Sequence, residues 1–215
     1  MDSFKLKQLE GLAFEKYPKD YKDYILEEEK QILKLIEGTK RLLDVGCGSN
    51  FSIYEIAKKV KEYVGIDQDS SMLYEAKDKT SKLKNCKIQK LDVHQLSKNY
   101  PENYFDDAIA VLNALGCMGD ELHWLNEVSK VTKNRIILSL VEKGHLEKRI
   151  KYYEDLNSSY IVMADGKETI SSPLWGYSRA FSKEDIENYA KQTGLKVDQY
   201  TQLAKIGLLV VLKKT

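Results

Sequence analysis

Cysteine, histidine and proline each occur only three times in this chain of 215 residues. Cys47, Cys86 and Cys117 lie far apart and make no Cys-x-x-Cys pair, so zinc and redox chemistry have no signature and no metal is expected. Reduced, mostly buried thiols are the ordinary state of such cysteines. An excess of one charge is also missing, since 34 basic residues balance 33 acidic ones for a net charge of +1. That balance does not mark a dedicated nucleic-acid binder. The longest clearly apolar run, Ile206 to Leu212, is far shorter than the roughly 20 residues that cross a bilayer, so no membrane partner is expected. Met1-Asp2-Ser3-Phe4-Lys5 lacks the basic-then-apolar pattern of a signal peptide, and a cytoplasmic protein is the expectation. Internal repeats and low-complexity segments are absent too.

What is present reads as one domain over residues 1–215, with 42% hydrophobic and 31% charged residues, ordinary values for a globular protein. Tyr21, Ile25, Ile32 and Ile36 recur at helical spacing and predict an N-terminal helix from about Asp20 to Glu37, stopped by Gly38. Arg41–Val45, Tyr63–Asp67, Lys87–Leu91, Asp107–Leu112 and Arg135–Leu140 read as strands. The helical patterns between them start with Ser52 and Glu55 as a capping box, then Met72, Leu73 and Ala76, then a helix capped by Asp120. This alternation predicts an α/β fold with a mostly parallel sheet and helices on both faces. Residues 141–181 break the rhythm. A helix over 146–156 is expected there, then a hairpin whose strands, 159–164 and 167–171, flank Asp165-Gly166. Ser182 and Asp185 cap a further helix that Gly194 ends. Strands near 195–202 and 206–212 pair as a closing antiparallel hairpin.

The sharpest local signal is Leu42-Leu43-Asp44-Val45-Gly46-Cys47-Gly48-Ser49-Asn50, where a buried strand meets a glycine-rich turn before a helix. Gly46 and Gly48 let the backbone turn tightly and approach a ligand closely, and the helix start offers unpaired N–H groups. Alone, this suits any nucleotide. Asp67 ends the second strand about 20 residues on, where an acid accepts from ribose hydroxyls. Asp92 follows the third strand. Two accounts of Asp67 and Asp92 stand open: each caps a turn, or all three acids serve one ligand at the carboxyl ends of parallel strands. Their common register favours the ligand. A dinucleotide loop needs a third glycine where Phe51 stands, which argues against NAD.

Together these segments resemble the class I S-adenosylmethionine-dependent methyltransferases, particularly the small-molecule type. Asp44-Val45-Gly46-Cys47-Gly48 is similar to their first motif, and Val64-Gly65-Ile66-Asp67 with Ser71-Met72-Leu73 to their second. Leu91-Asp92-Val93 is similar to the third. Tyr104-Phe105-Asp106-Asp107-Ala108-Ile109 with Asn113 resembles their fourth strand and its end. Phe181-Ser182-Lys183-Glu184-Asp185-Ile186 and Thr193-Gly194-Leu195-Lys196-Val197 resemble their last helix and the strand after it. The resemblance spans residues 38–215 except 141–180. It implies a Rossmann-like seven-stranded sheet with the last strand antiparallel, S-adenosylmethionine as cofactor, and transfer of its methyl group to a small-molecule acceptor through nitrogen, oxygen or carbon. The cofactor-binding residues it implies are Asp44, Gly46, Cys47, Gly48, Asp67, Gln68, Asp92, Val93 and Asn113. Asp44 would orient the loop and the cofactor's amino group, and the two glycines would pass under its methionine part. Asp67 would hold the ribose. Asp92 and the Val93 N–H would meet the adenine, and Asn113 would border the reacting methyl. The family commonly has a third glycine where this chain has Asn50, a residue type that tolerates a left-handed backbone.

Methylation of RNA or protein, and a cofactor-binding module without catalysis, are the competing readings. Neither a basic groove nor a docking extension appears in the sequence to support the first. Among His94, His123 and His145, His123 follows the fourth strand closely and is the candidate base, although a helix-surface histidine is the simpler account. Cys117 lacks the proline-cysteine context of pyrimidine-carbon methyltransferases, and Asn113 is not followed by the Pro-Pro-aromatic of amino-group DNA methyltransferases. Tyr17, Tyr21 and Tyr24, and Tyr152, Tyr153 and Tyr160, cluster before the first motif and in the insertion. Most of them suit packing, and a few suit a cage. Within residues 141–181, Trp175, Tyr177 and Arg179 are candidates to hold the acceptor. The bland alternative is that the rings anchor the insertion while Arg179 makes an ion pair.

Overall fold

The computed structural model describes residues 14–50, 52–173 and 176–215; Phe51 and Trp175, both singled out above, lie outside the described residues. Helix α1 (Lys19–Leu35) follows Pro18 and buries Tyr24, Ile25, Glu28 and Ile32, which share one face at three- and four-residue spacing. After Gly38, at φ +84°, the chain enters β1 (Arg41–Val45). Helix α2 (Ile53–Lys59), β2 (Glu62–Asp67), α3 (Ser70–Thr80) and β3 (Cys86–Lys90) follow. A 3-10 turn (Val93–Gln95) and the short α4 (Leu96–Asn99) lead to β4 (Phe105–Ala110). A second 3-10 turn (Ala114–Cys117) and α5 (Glu121–Val131) lead to β5 (Thr132–Val141).

The insertion after β5 holds α6 (Leu146–Asp155) and three short antiparallel strands, β6 (Ile161–Val162), β7 (Ile170–Ser172) and β8 (Gly176–Ser178), in a sheet of their own. Helix α7 (Lys183–Gln192) then leads to β9 (Leu195–Leu203) and β10 (Gly207–Lys214). The main sheet has seven strands in the order β3-β2-β1-β4-β5-β10-β9. Its pairs are parallel except those of β10, which is antiparallel to both neighbours. Strand order reverses between β1 and β4, the switch point where open α/β sheets bind ligands outside their carboxyl ends.

Both faces of the sheet are covered. Leu43, Val45, Ala108 and Leu138 pack with Trp124, Val128 and Ile186 on one side. Leu42, Tyr63, Ile109 and Ile137 pack with Ile25, Ile32, Ile56 and Leu73 on the other. Strand alternation thus turns Asp44, two residues after Leu42, toward the α1 and α2 face. Helix α1 seats closely there: a Cβ on Gly207 of β10 would lie 2.2 Å from Cε2 of the Tyr24 ring.

Two local expectations are corrected and one is met. Ser52 makes no capping hydrogen bond, because its backbone is already helical (φ −90°, ψ −4°) and not extended as a capping residue's is. Ser182, at ψ 164°, does form the reciprocal capping box with Asp185. The hairpin at Asp165-Gly166 is wider than a two-residue turn: its strands stop at Val162 and start at Ile170. The Asp165 carboxylate accepts from Lys167 N–H at 2.8 Å and so folds the intervening loop locally.

Candidate active site

A cleft of about 710 Å³ opens at the carboxyl ends of β1, β2 and β4. Its floor is the turn after β1, where Gly46 and Gly48 sit at φ +70° and +48°. The N–H groups of Gly46 and Cys47 both donate to Ile66 O, at 2.9 and 3.0 Å, which ties the turn to β2. A Cβ on Gly46 would lie 2.8 Å from Met118 Cε and 3.0 Å from Ala114 Cβ. Asn50 is not among the described residues with positive φ. It closes the loop through its side chain instead, donating Nδ2–H to Cys47 O at 3.0 Å. The Cys47 thiol is buried, which pushes its pKa well above the usual range.

The three acids take different places. Asp67 is half-buried in the cleft wall, accepting from Gly48 N–H and Asp69 N–H at 2.9 Å each, with Gln68 beside it. Asp44 is fully buried beneath the floor. One of its oxygens accepts from Tyr63 OH at 2.5 Å, and the other, Oδ1, is buried without a hydrogen-bond partner. Burial pushes its pKa up to about 7, with Glu28 and Asp67 adding to the rise against the Tyr63 hydrogen bond. Asp92 does not line the cleft. Its carboxylate caps the 3-10 turn, accepting from His94 N–H at 3.0 Å and meeting His94 Nδ1 at 2.8 Å. Those contacts, the backbone hydrogen bond first, hold its pKa below the usual carboxylate range. Val93 and His94 form the wall there.

Beyond β4, Leu112 and Asn113 are consecutive left-handed residues at φ +51° and +62°. Such a pair is strained for residues other than glycine and needs outside support. Glu28 Oε1 accepts Leu112 N–H at 2.8 Å, and Ser139 O accepts Asn113 N–H at 3.0 Å. Asn113 lines the cleft, but its amide is committed: Oδ1 accepts from Val141 N–H at 3.1 Å, and Nδ2 donates to Ser178 Oγ and Arg179 O at 3.2 and 3.0 Å. It therefore clips the insertion to β5. Burial pushes Glu28 up to about 7 as well. Sequence reasoning missed Glu28, although an acid set between Ile25 and Ile32 on an apolar stripe is a readable signal.

Tyr17, Tyr21 and Tyr24 before and within α1 and Tyr152 and Tyr153 of α6 also line the cleft, as a wall of tyrosines. Tyr21 stacks on Tyr152 with centroids 4.2 Å apart, and Tyr17 meets Tyr152 edge-on at 5.0 Å. Tyr24 OH lies 2.6 Å from Ser139 Oγ. Arg149, fully buried behind this wall, donates to Glu168 O and Ser178 O and braces the insertion from within.

Besides Asp92, three expected residues lie away from the cleft. Arg179 pairs with Glu121 and Tyr189, at 2.6 Å each, and with Asp185 at 3.5 Å, so its charge docks the insertion onto α5 and α7. Tyr177 is 55% exposed and does not line the cleft, whereas its neighbours Gly176 and Ser178 do. His123 is exposed on the first turn of α5, held there by the Asp120 cap, and reaches neither the glycine turn nor the tyrosines.

The sequence profile of the methyltransferase-domain family matches residues 36–199, and the chain belongs to that family. It is an S-adenosylmethionine-dependent methyltransferase. No curated protein matches the chain. Its structure is similar to that of PH0226 protein from Pyrococcus horikoshii OT3, at 20% identity, 92% coverage of each chain and a TM-score of 0.71. It is also similar to 1,6-didemethyltoxoflavin-N1-methyltransferase of Burkholderia thailandensis, whose structure holds 1,6-didemethyltoxoflavin and S-adenosylhomocysteine. That pair is 12% identical, with 87% of this chain and 78% of that one covered and a TM-score of 0.64. Magnesium protoporphyrin IX methyltransferase of Synechocystis PCC 6803, with bound S-adenosylhomocysteine, is 14% identical, with 90% and 86% covered and a TM-score of 0.63. The cleft's chemistry suits this cofactor. Its glycine turn keeps Gly46 left-handed and tightly packed against Ala114 and Met118, and the buried Asp44 Oδ1 beneath it lacks a donor. Among the described residues, no helix is long and apolar enough to cross a membrane.

Proposed function

We propose that the enzyme methylates a small, largely uncharged aromatic molecule, held between the glycine turn and the tyrosine wall. The carrying observation is that Tyr17, Tyr21, Tyr24, Tyr152 and Tyr153 line the same cleft as Gly46 and Gly48. Their rings offer flat apolar area with hydroxyl rims, which suits a planar acceptor. Arg149 and Arg179, the two arginines nearest this end, are occupied by carbonyls and by Glu121, so neither offers a free charge for an acceptor carboxylate. Toxoflavin and porphyrin substrates of two structural neighbours are planar too. Residues 1–215 act as one unit in this proposal, with 141–181 as the acceptor side.

S-adenosylmethionine supplies an activated methyl on a sulfonium when bound. Asp67 would bind its ribose hydroxyls, and the Val93 N–H its adenine. Asp44 would neutralise its amino group through the glycine turn. Asp92, turned toward His94, would act by fixing that turn. Asn113 would shape the cleft by holding β5 and the insertion together. An acceptor that loses a proton needs somewhere to send it. Tyr24 touches the cleft, bonds Ser139 and neighbours Glu28, so it links the acceptor wall to a carboxylate that titrates near neutrality.

Release of S-adenosylhomocysteine tests the proposal, with phenols and neutral nitrogen heterocycles compared against RNA and protein acceptors. Turnover is expected with members of the first group only. Release only with RNA or protein would overturn it.

A further inference from the structure

Away from the tyrosine wall, the 3-10 turn after β3 and the start of α5 bring two of the three histidines of the chain together. The rings of His94 and His123 pack edge-on with centroids 4.4 Å apart. Asp120, the N-cap of α5, puts Oδ2 3.8 Å from His123 Nδ1. One ligand atom from each of His94, Asp120 and His123 lies within 4.8 Å of the others.

The protonation of His94 can be reasoned from its neighbour. An ionised carboxylate only accepts, so Nδ1, at 2.8 Å from Asp92 Oδ1, carries the proton. In the neutral ring Nε2 then presents a lone pair. That nitrogen is buried and has no hydrogen-bond partner. A carboxylate holding one imidazole nitrogen while the other stays free is the arrangement that orients metal-bound histidines. We infer that His94, Asp120 and His123 form a site for a borderline transition-metal dication such as Zn2+.

The donor set selects the class of ion. Two imidazole nitrogens with one carboxylate suit Zn2+, Co2+ or Ni2+, whereas Mg2+ and Ca2+ prefer all-oxygen sites. Bonds of about 2.0–2.2 Å put tetrahedral ligand atoms roughly 3.4 Å apart, so the cluster must contract by about an ångström. His123 and Asp120 have the freedom to do so, with side chains 51% and 59% exposed. Three protein ligands leave a fourth position for water. Of the three, only His94 also lines the cofactor cleft, beside Val93. The bound ion would therefore hold that stretch of wall, and its part is positional.

The test uses the full-length protein after chelator treatment, with ZnCl2 followed by calorimetry and CoCl2 followed by visible absorption. One ion per chain is expected, with a Co2+ spectrum of low coordination number. His123→Ala, on the surface, and Asp120→Asn, which keeps the capping oxygen, should each weaken binding at least about tenfold while leaving the thermal melt unchanged. His94→Ala should weaken binding by as much, although losing the ring that meets Asp92 also lowers the melt. His145→Ala and Cys117→Ser serve as controls and should bind like the parent. Absence of binding overturns the inference, as does full binding by the His123→Ala protein. Loss of binding in Cys117→Ser would assign the ion to the exposed thiol instead and overturn it equally.

Discussion

Glu28 of α1 accepts the backbone N–H of Leu112 at 2.8 Å, and so an N-terminal helix holds the first of two left-handed residues at the mouth of the cleft. Removing the carboxyl leaves a buried N–H without a partner and a strained turn without support. Glu28→Ala is expected to cost about 2–3 kcal/mol in urea unfolding, and Glu28→Gln, which still accepts, much less. Equal losses for both would mean that the contact contributes little to stability.

The same residue gives stability a pH dependence. Burial raises Glu28 from its ordinary 4.5 to about 7. Between those values the folded chain binds the proton more tightly than the unfolded one, so this contribution is present below the ordinary value and is lost as pH rises through about 7. Glu28→Gln removes it. Relative to the parent, the variant should gain about 2 kcal/mol between roughly pH 5 and pH 8. A difference that stays flat with pH would show Glu28 ionised throughout.

Asp44 makes a prediction about the cofactor. Its carboxyl, raised to about 7 by burial, is partly protonated at neutral pH. Meeting a cationic amino group favours the ionised form, so cofactor binding should release protons and tighten as pH rises through neutrality. Calorimetry in buffers of differing ionisation enthalpy reads this release directly. Asp44→Asn should abolish it and weaken affinity about tenfold or more.

Gly46 holds a left-handed backbone that a side chain strains. Gly46→Ala adds a methyl at φ +70° against Met118 and Ala114. Cofactor affinity should fall by at least about tenfold, with a stability loss of about 1–3 kcal/mol. Normal titration of the variant with S-adenosylhomocysteine would show that the turn can shift freely.

Arg179→Ala should act on stability, not on recognition. It strands Glu121 and Tyr189 at a site only 8% exposed on the arginine side, for a cost of about 3 kcal/mol. Cofactor affinity measured below the melting transition should be unchanged. A large loss of acceptor affinity with no change in melting would return Arg179 to the acceptor site.

Much of the sheet was legible because it is written in local pattern. The strand of Leu42 and Leu43, the glycines after it and the acid that ends the next strand follow from alternation and turn chemistry. What escaped depends on distance in sequence. Asp44 is readable in the turn, but its burial and its hydrogen bond from Tyr63 are reported by no spacing rule. Asp92 is at the predicted strand end, yet a histidine two residues on takes its carboxylate. For Arg179 the acceptor and ion-pair readings both stand open in the sequence, because Glu121, its partner, is remote in the chain. His94 and His123 meet only because the 3-10 turn and α5 are folded together.

The place of β10 has a consequence for how the enzyme is made. This strand lies between β5 and β9, and its first residue, Gly207, packs against the ring of Tyr24. On the ribosome, every other strand of the main sheet is synthesised before it. Until β10 arrives, β5 has an open edge, β9 has no neighbour in the sheet, and Tyr24 lacks the surface it rests on. The acceptor wall, begun by the earliest helix described, is thus finished by the latest strand. While residues 142–206 are being made, the nascent chain carries an unguarded β5 edge, and such edges invite mispairing.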